Sequence, residues 1–166
     1  MLELLIYVSV LAILIIAASS VFFGVIKIKQ KANAAQEVSD NIAFALEVMD
    51  REIRAAKKIY LPWSVFDSSP GQLSLETTNY LPPQEETTYL DFYVCQEQLC
   101  FKQEGQDQLV LTSDKVKVQT LKFSRVVTGQ KESVEILLEI SFNNTNNRPE
   151  NQASATLTSV ASLRSY

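Results

Sequence analysis

Residues 4–26 read LLIYVSVLAILIIAASSVFFGVI and contain no charged side chain. As an α-helix at ~1.5 Å per residue this stretch is roughly 34 Å long, enough to cross the ~30 Å hydrocarbon core of a bilayer. A single acid, Glu3, stands at its start. A cleaved secretory signal has an apolar region of only about 7–15 residues. Ala17-Ala18-Ser19-Ser20 has the small residues that a signal peptidase uses, but apolar sequence resumes at Val21. A buried core helix would need a globular shell larger than the rest of a 166-residue chain supplies. The stretch is therefore read as a membrane-spanning helix. Ala12, Ala17, Ala18, Ser19, Ser20 and Gly24 give it small-residue surfaces for close helix packing, although ordinary transmembrane composition contains such residues too.

No helix-breaking signal follows. Ala35, Val38, Ile42, Ala45, Met49, Ile53, Ala56 and Tyr60 recur at spacings of three and four, so the same helix is expected to run on to about Tyr60 and to stop at Pro62. Glu47 with Arg51 and Asp50 with Arg54 are acid-first i,i+4 pairs, and Lys57 and Lys58 suit the negative end of the helix dipole. The narrow, alanine-rich stripe fits packing on a sheet or on neighbouring helices; a free coiled coil favours larger seam residues. Trp63, Val65 and Phe66 are expected in the core beneath the first loop. Strands are expected at 72–77, 88–95, 99–103, 109–112, 116–127, 134–142 and 153–164. Within them Val134, Ile136, Leu138, Ile140 and Phe142 share one face, a bulge falls near Gln119-Thr120, and Ala155, Leu157, Ala161 and Leu163 point inward. The fold class is thus α+β: residues 1–26 a transmembrane helix, 27–60 its amphipathic continuation, and 61–166 a β-rich head.

Composition narrows the chemistry. The chain has no histidine, two cysteines, four glycines and a net charge of −4. That removes His-based acid/base chemistry, Ser/His/Asp and Cys/His nucleophile pairs, and His metal ligands. There is no glycine-rich phosphate loop and no basic cluster suited to a phosphate backbone. No cofactor, metal site or catalytic residue is identified, no nucleic-acid partner is expected, and the chain reads as a structural or interaction protein. If residues 88–95 and 99–103 form a hairpin, Cys95 and Cys100 face each other directly across it, with Cα atoms ~4.5–5.5 Å apart and inside disulfide range. The plainer reading is two free, half-buried thiols; the facing geometry favours the bridge, which needs an oxidising compartment outside the cytoplasm.

Met1-Leu2-Glu3-Leu4-Leu5-Ile6, the long helix with its amphipathic second half and the β-rich head together resemble the type IV pilin superfamily. Met1, Leu2 and Glu3 look like the third to fifth positions of that family's F-T-L-[I/L]-E-L-[L/V] segment, the prepilin N-terminal methylation motif. Residues 46–56, LEVMDREIRAA, resemble the L-x-x-x-x-R-[D/E]-[I/L]-R-x-A segment of J-type minor pseudopilins, and residues 155–164 resemble the terminal strand of such proteins. The resemblance implies a non-enzymatic subunit of a pilus or a type II secretion pseudopilus. Such a subunit is held in the cytoplasmic membrane by its helix, head outward, and is then drawn into a helical bundle of like subunits. It implies that Glu3 offers its carboxylate to the N-terminal amine of an adjoining subunit, although by itself Glu3 is an interfacial acid with its head in water. It also implies a prepilin peptidase acting on the precursor. Lys27, Lys29 and Lys31 just after the span pull towards the opposite orientation. A basic leader ahead of Met1, ending in glycine and followed by Phe-Thr, is expected to resolve both that conflict and the truncated motif. The competing reading is a solitary membrane-anchored domain whose head binds an extracytoplasmic ligand.

Overall fold

The structure is a computed structural model that describes residues 2–79, 81, 85–129, 131–145 and 148–164. Met1 of the N-terminal motif, Pro82, Pro83 and Gln84 of the expected loop, and Gln130 of the expected hairpin turn lie outside the described residues. One helix, α1 (Leu2–Ala55), leads into β1 (Lys58–Ile59), β2 (Leu73–Thr77), β3 (Thr88–Cys95), β4 (Gln98–Gln103), β5 (Leu109–Val110), β6 (Val116–Thr128), β7 (Lys131–Phe142) and β8 (Ser154–Ser162). The strands form two antiparallel sheets, ordered β1-β2-β3-β4-β5 and β6-β7-β8. This is the expected α+β architecture, with the head divided into two sheets.

The second half of α1 lies on the three-stranded sheet, chiefly on β7 and β8. Ala34, Val38, Ile42, Ala45, Val48, Met49, Ile53 and Ala56 are buried there. The stripe begins at Ala34, whereas Ala35, the expected first member, is exposed. Either alanine satisfies a spacing of three or four from Val38, so the sheet decides between them. Facing the helix are Leu121 and Phe123 of β6 and Val134, Ile136, Leu138 and Ile140 of β7, all fully buried. The register slips between Val118 and Thr120, leaving Gln119 as the extra residue. That bulge is what lets Val118 and Leu121 both face the core despite an odd spacing. Leu73, Leu75, Leu90 and Phe92 of the five-stranded sheet join the same core. The two sheets meet where the backbone of β6 takes hydrogen bonds from Asp67 and Gly71 (2.8 and 2.7 Å to the carbonyls of Phe123 and Leu121). A Cβ on Gly71 would stand 3.2 Å from Leu121 O and from the Phe123 ring, so this close approach calls for glycine.

Several local expectations are corrected. Helix α1 ends at Ala55, short of Tyr60, because the next residues find better partners in β2: Lys57 and Tyr60 donate their N–H groups to the carbonyls of Glu76 and Ser74, each at 2.8 Å. Lys57 and Lys58 do not cap the helix; both reach the buried carboxylate of Glu76, at 3.8 and 2.8 Å. An exposed lysine gains little at a solvated helix end, whereas a buried carboxylate without a counter-charge is costly. The same reasoning explains why Arg51 turns from exposed Glu47 to Glu52, which is only 5% exposed. Arg54 does pair with Asp50, at 2.7 Å. Trp63 and Val65 lie on the surface, Trp63 at 64% exposure, and only Phe66 packs against the core. In β8, Ala161 is buried and Ala155 and Leu163 pack on the core, but Leu157 is 44% exposed, on an edge strand where cover is incomplete.

Candidate functional site

From Ile6 to Ile28 every side chain of α1 is exposed, the isoleucines, leucines, valines and phenylalanines included. Its most apolar 18-residue window has a mean hydropathy of 2.6 and no buried residue. An apolar surface of this extent is far beyond the few hundred Å² that soluble monomers ordinarily show, and the helix is long and apolar enough to cross a membrane. The helix is already self-sufficient for that environment. Ser9, Ser19 and Ser20 each donate a hydroxyl proton to a carbonyl one turn back (Ile6, Ile15 and Ala17), all at 2.8 Å. No hydroxyl of the three is left to seek water, as a low-dielectric surrounding requires. Nothing lies within 4 Å of where a Cβ on Gly24 would be, so this chain itself does not call for the glycine. The notch is free for a neighbouring helix. The serine back-bonds escape a reading of polarity alone; the i−3 and i−4 positions relative to each serine are the signal that finds them.

Glu3 sits in the first turn of α1 and is exposed, with no ion-pair partner among the described residues. A carboxylate in the first turn is favoured by the helix dipole by about 0.3–1 kcal/mol.

Cys95 and Cys100 are joined in a disulfide, with Cα atoms 5.8 Å apart. They are not directly opposed, as the sequence suggested. Cys95 pairs with Gln98, and Cys100 with Tyr93, so the bridge is diagonal. The reason is the turn: Gln96 and Glu97 both adopt left-handed backbone conformations, with φ of 49° and 63°, and close a two-residue hairpin. The turn is then fastened to the other sheet, its Glu97 carbonyl accepting the N–H of Val118 at 2.7 Å.

One polar cluster was missed from sequence. Near the start of the buried stripe, Glu37 Oε1 accepts from the Ser113 hydroxyl at 3.0 Å and Oε2 from the Lys115 ammonium at 3.1 Å, while Asn41 Oδ1 accepts the Ser113 N–H at 2.8 Å. The hydrogen bond from Lys115, helped by that from Ser113, holds the Glu37 carboxyl below its ordinary pKa. No local pattern announces this clamp, because its halves are more than seventy residues apart. Among the described residues no group of three or more His, Cys, Asp or Glu is placed to hold a metal.

The long helix on an antiparallel head is a type IV pilin-like fold. Among solved structures the chain is similar to a type IV-like pilin from Thermus thermophilus, with a TM-score of 0.50 and 12% identity over 75% of this chain and 95% of that one. No protein-family model and no curated protein matches the sequence.

Proposed function

We propose that this protein is a minor pilin or pseudopilin, a non-enzymatic subunit that waits in the cytoplasmic membrane as a single-pass protein with its head outside and then enters a type IV pilus or a type II secretion pseudopilus. One observation carries the reading. The front half of α1 is apolar around its whole circumference and unburied, while the back half is committed to the head. A simple anchor needs only the first property. A helix that exchanges lipid for other helices also gains from small-residue notches and internally satisfied serines, and both are present at Ser19, Ser20 and Gly24. The pilin-like fold supports the same reading.

Glu3 then acts on assembly. In an apolar bundle an unpaired carboxylate costs several kcal/mol, so a charge pair that forms only in register selects that register. A prepilin peptidase is the expected processing partner. Cysteines introduced singly from Ala12 to Gly24 are expected to crosslink to pilin-like subunits in membranes of the native cell. Absence of any crosslink would favour a solitary anchored domain. Glu3→Ala is expected to leave the head folded and membrane-inserted while reducing filament incorporation; unchanged incorporation would remove Glu3 from assembly.

A further inference from the structure

Trp63 stands on the surface beside the outer face of the five-stranded sheet. In the five-stranded sheet, alternation places Ser74, Asp91 and Lys102 on the face opposite Leu75, Leu90 and Phe92, and their Cα atoms are register partners across β2, β3 and β4. Tyr60 extends that row from the far side, its N–H on Ser74 O, and its ring lies 4.7 Å from that of Tyr89. Together with Trp63 and Glu104 these side chains line a cavity of about 320 Å³. That volume falls in the ~300–1,000 Å³ range of small-molecule sites, which likewise combine an aromatic lining with a few convergent polar groups.

The site is held in shape before any ligand arrives. Ser64, next to Trp63, donates its hydroxyl proton to Tyr60 O at 2.8 Å and accepts the N–H of Ser74 at 3.0 Å, so the Trp63 turn is pinned to β2. The Ser74 hydroxyl donates to one oxygen of Asp91, and one oxygen of Glu104 accepts the Tyr89 N–H at 3.2 Å. Each carboxylate keeps its other oxygen without a protein partner among the described residues. Lys102, although it neighbours Asp91 on the next strand, makes no ion pair among the described residues.

We infer that this cavity on the head is a binding site for a neutral saccharide, with Trp63 and the Tyr60–Tyr89 pair as the stacking platform and Asp91, Glu104 and Lys102 as the hydroxyl-reading groups. The charges decide the ligand class. An organic cation would suit the aromatic rings and two carboxylates but meets the Lys102 ammonium in the same cavity. An anion meets two carboxylates and only one ammonium. A polyhydroxyl ring has no charge to repel. Its hydroxyls donate to carboxylate oxygens and accept from an ammonium, and its weakly positive C–H face fits the electron-rich face of an aromatic ring.

Trp63 is the chain's one tryptophan, so its fluorescence reports on this cavity alone. The full-length protein in nanodiscs of phosphatidylethanolamine and phosphatidylglycerol, free of sugar-headed detergent, is titrated with maltose, cellobiose and N,N′-diacetylchitobiose, and separately with choline chloride and inorganic phosphate. A saturable shift of Trp63 emission to shorter wavelength is expected with at least one sugar and with neither control. Lys102→Ala, an exposed position, and Asp91→Asn are each expected to weaken that sugar about tenfold or more while near-UV circular dichroism stays unchanged, as for loss of a hydrogen bond to a charged group. No response to any of the three sugars, a saturable response to choline or phosphate instead, or an unchanged affinity in Lys102→Ala would overturn the assignment. So would a Trp63 shift that depends on protein concentration and not on sugar, which would give the turn to a second copy of the chain.

Discussion

The two halves of α1 form one continuous helix and share many apolar residue types, yet they obey different solvents. Ile42, in the back half, is 1% exposed against β-sheet; Ile15, in the front half, is 57% exposed. The back half buries one stripe and leaves Glu37, Asp40, Glu47 and Arg51 to water or to ion pairs, whereas the front half has no charged residue between Glu3 and Lys27. The difference teaches that apolar content alone does not mark a core. What marks it is the periodic interruption by charge, because only a helix with one wet face needs two kinds of surface.

The sharpest test applies one substitution to both halves. Ile42→Ala is expected to cost the head about 2–5 kcal/mol, the usual range for truncating a fully buried isoleucine. Ile15→Ala is expected to change head stability by no more than ~0.5 kcal/mol. The measurement is the urea midpoint of the near-UV circular dichroism signal with the helix held in micelles. Equal losses would mean that the front half supports the head as the back half does. A second test acts on the head alone. Replacing Cys95 and Cys100 together by serine is expected to lower head stability by about 2 kcal/mol, the chain-entropy value for so short a loop. Membrane insertion should be unchanged, and thiol labelling of the denatured, unreduced wild-type protein should find neither cysteine free.

The division of α1 was legible because it rests on local facts, namely absence of charge, spacing and alternation. The strands were legible for the same reason; β7 alternates Val134, Ile136, Leu138 and Ile140 inward without interruption, and even the bulge at Gln119 shows as a change of phase. Most of what failed depended on partners distant in sequence. Ala56 and Tyr60 continue the helical spacing, and only the waiting carbonyls of Ser74 and Glu76 end the helix at Ala55. Gln96-Glu97 carries none of the Asn-Gly chemistry that announces a two-residue turn, so the diagonal placement of the cysteines was hidden. Residue type alone argues for Trp63 in the core, whereas its surface position follows from Ser64 pinning the turn to β2. Of the proposed sites, Glu3 was readable from a motif; the aromatic cavity was not, since its residues come from four separated segments.

The smallest expected effect lies at the boundary between the two halves, where Glu37 and Asn41 tie the helix to the loop before β6. Because the folded protein holds the Glu37 pKa below its ordinary value, the unfolded chain binds a proton more readily than the folded one. The clamp's contribution is therefore fully present above the ordinary glutamate pKa and is lost as pH falls through the lower, folded value. The Lys115 partner is largely exposed, at 61%, so solvent screening limits the ion pair to about 0.2–1 kcal/mol. Glu37→Gln keeps the side-chain shape and removes the charge. At neutral pH it should be less stable than wild type by that small amount, and the two unfolding midpoints should converge as the pH drops below about 4, where glutamate is ordinarily protonated. A further readout separates this clamp from general surface charge: proteolytic cleavage of the loop at Ser113–Lys115 should quicken in Glu37→Gln at neutral pH and not in Glu47→Gln, whose exposed carboxylate makes no ion pair among the described residues. If both variants behave alike, Glu37 does not fasten the head to α1, and the grip is left to the apolar stripe that begins at Ala34.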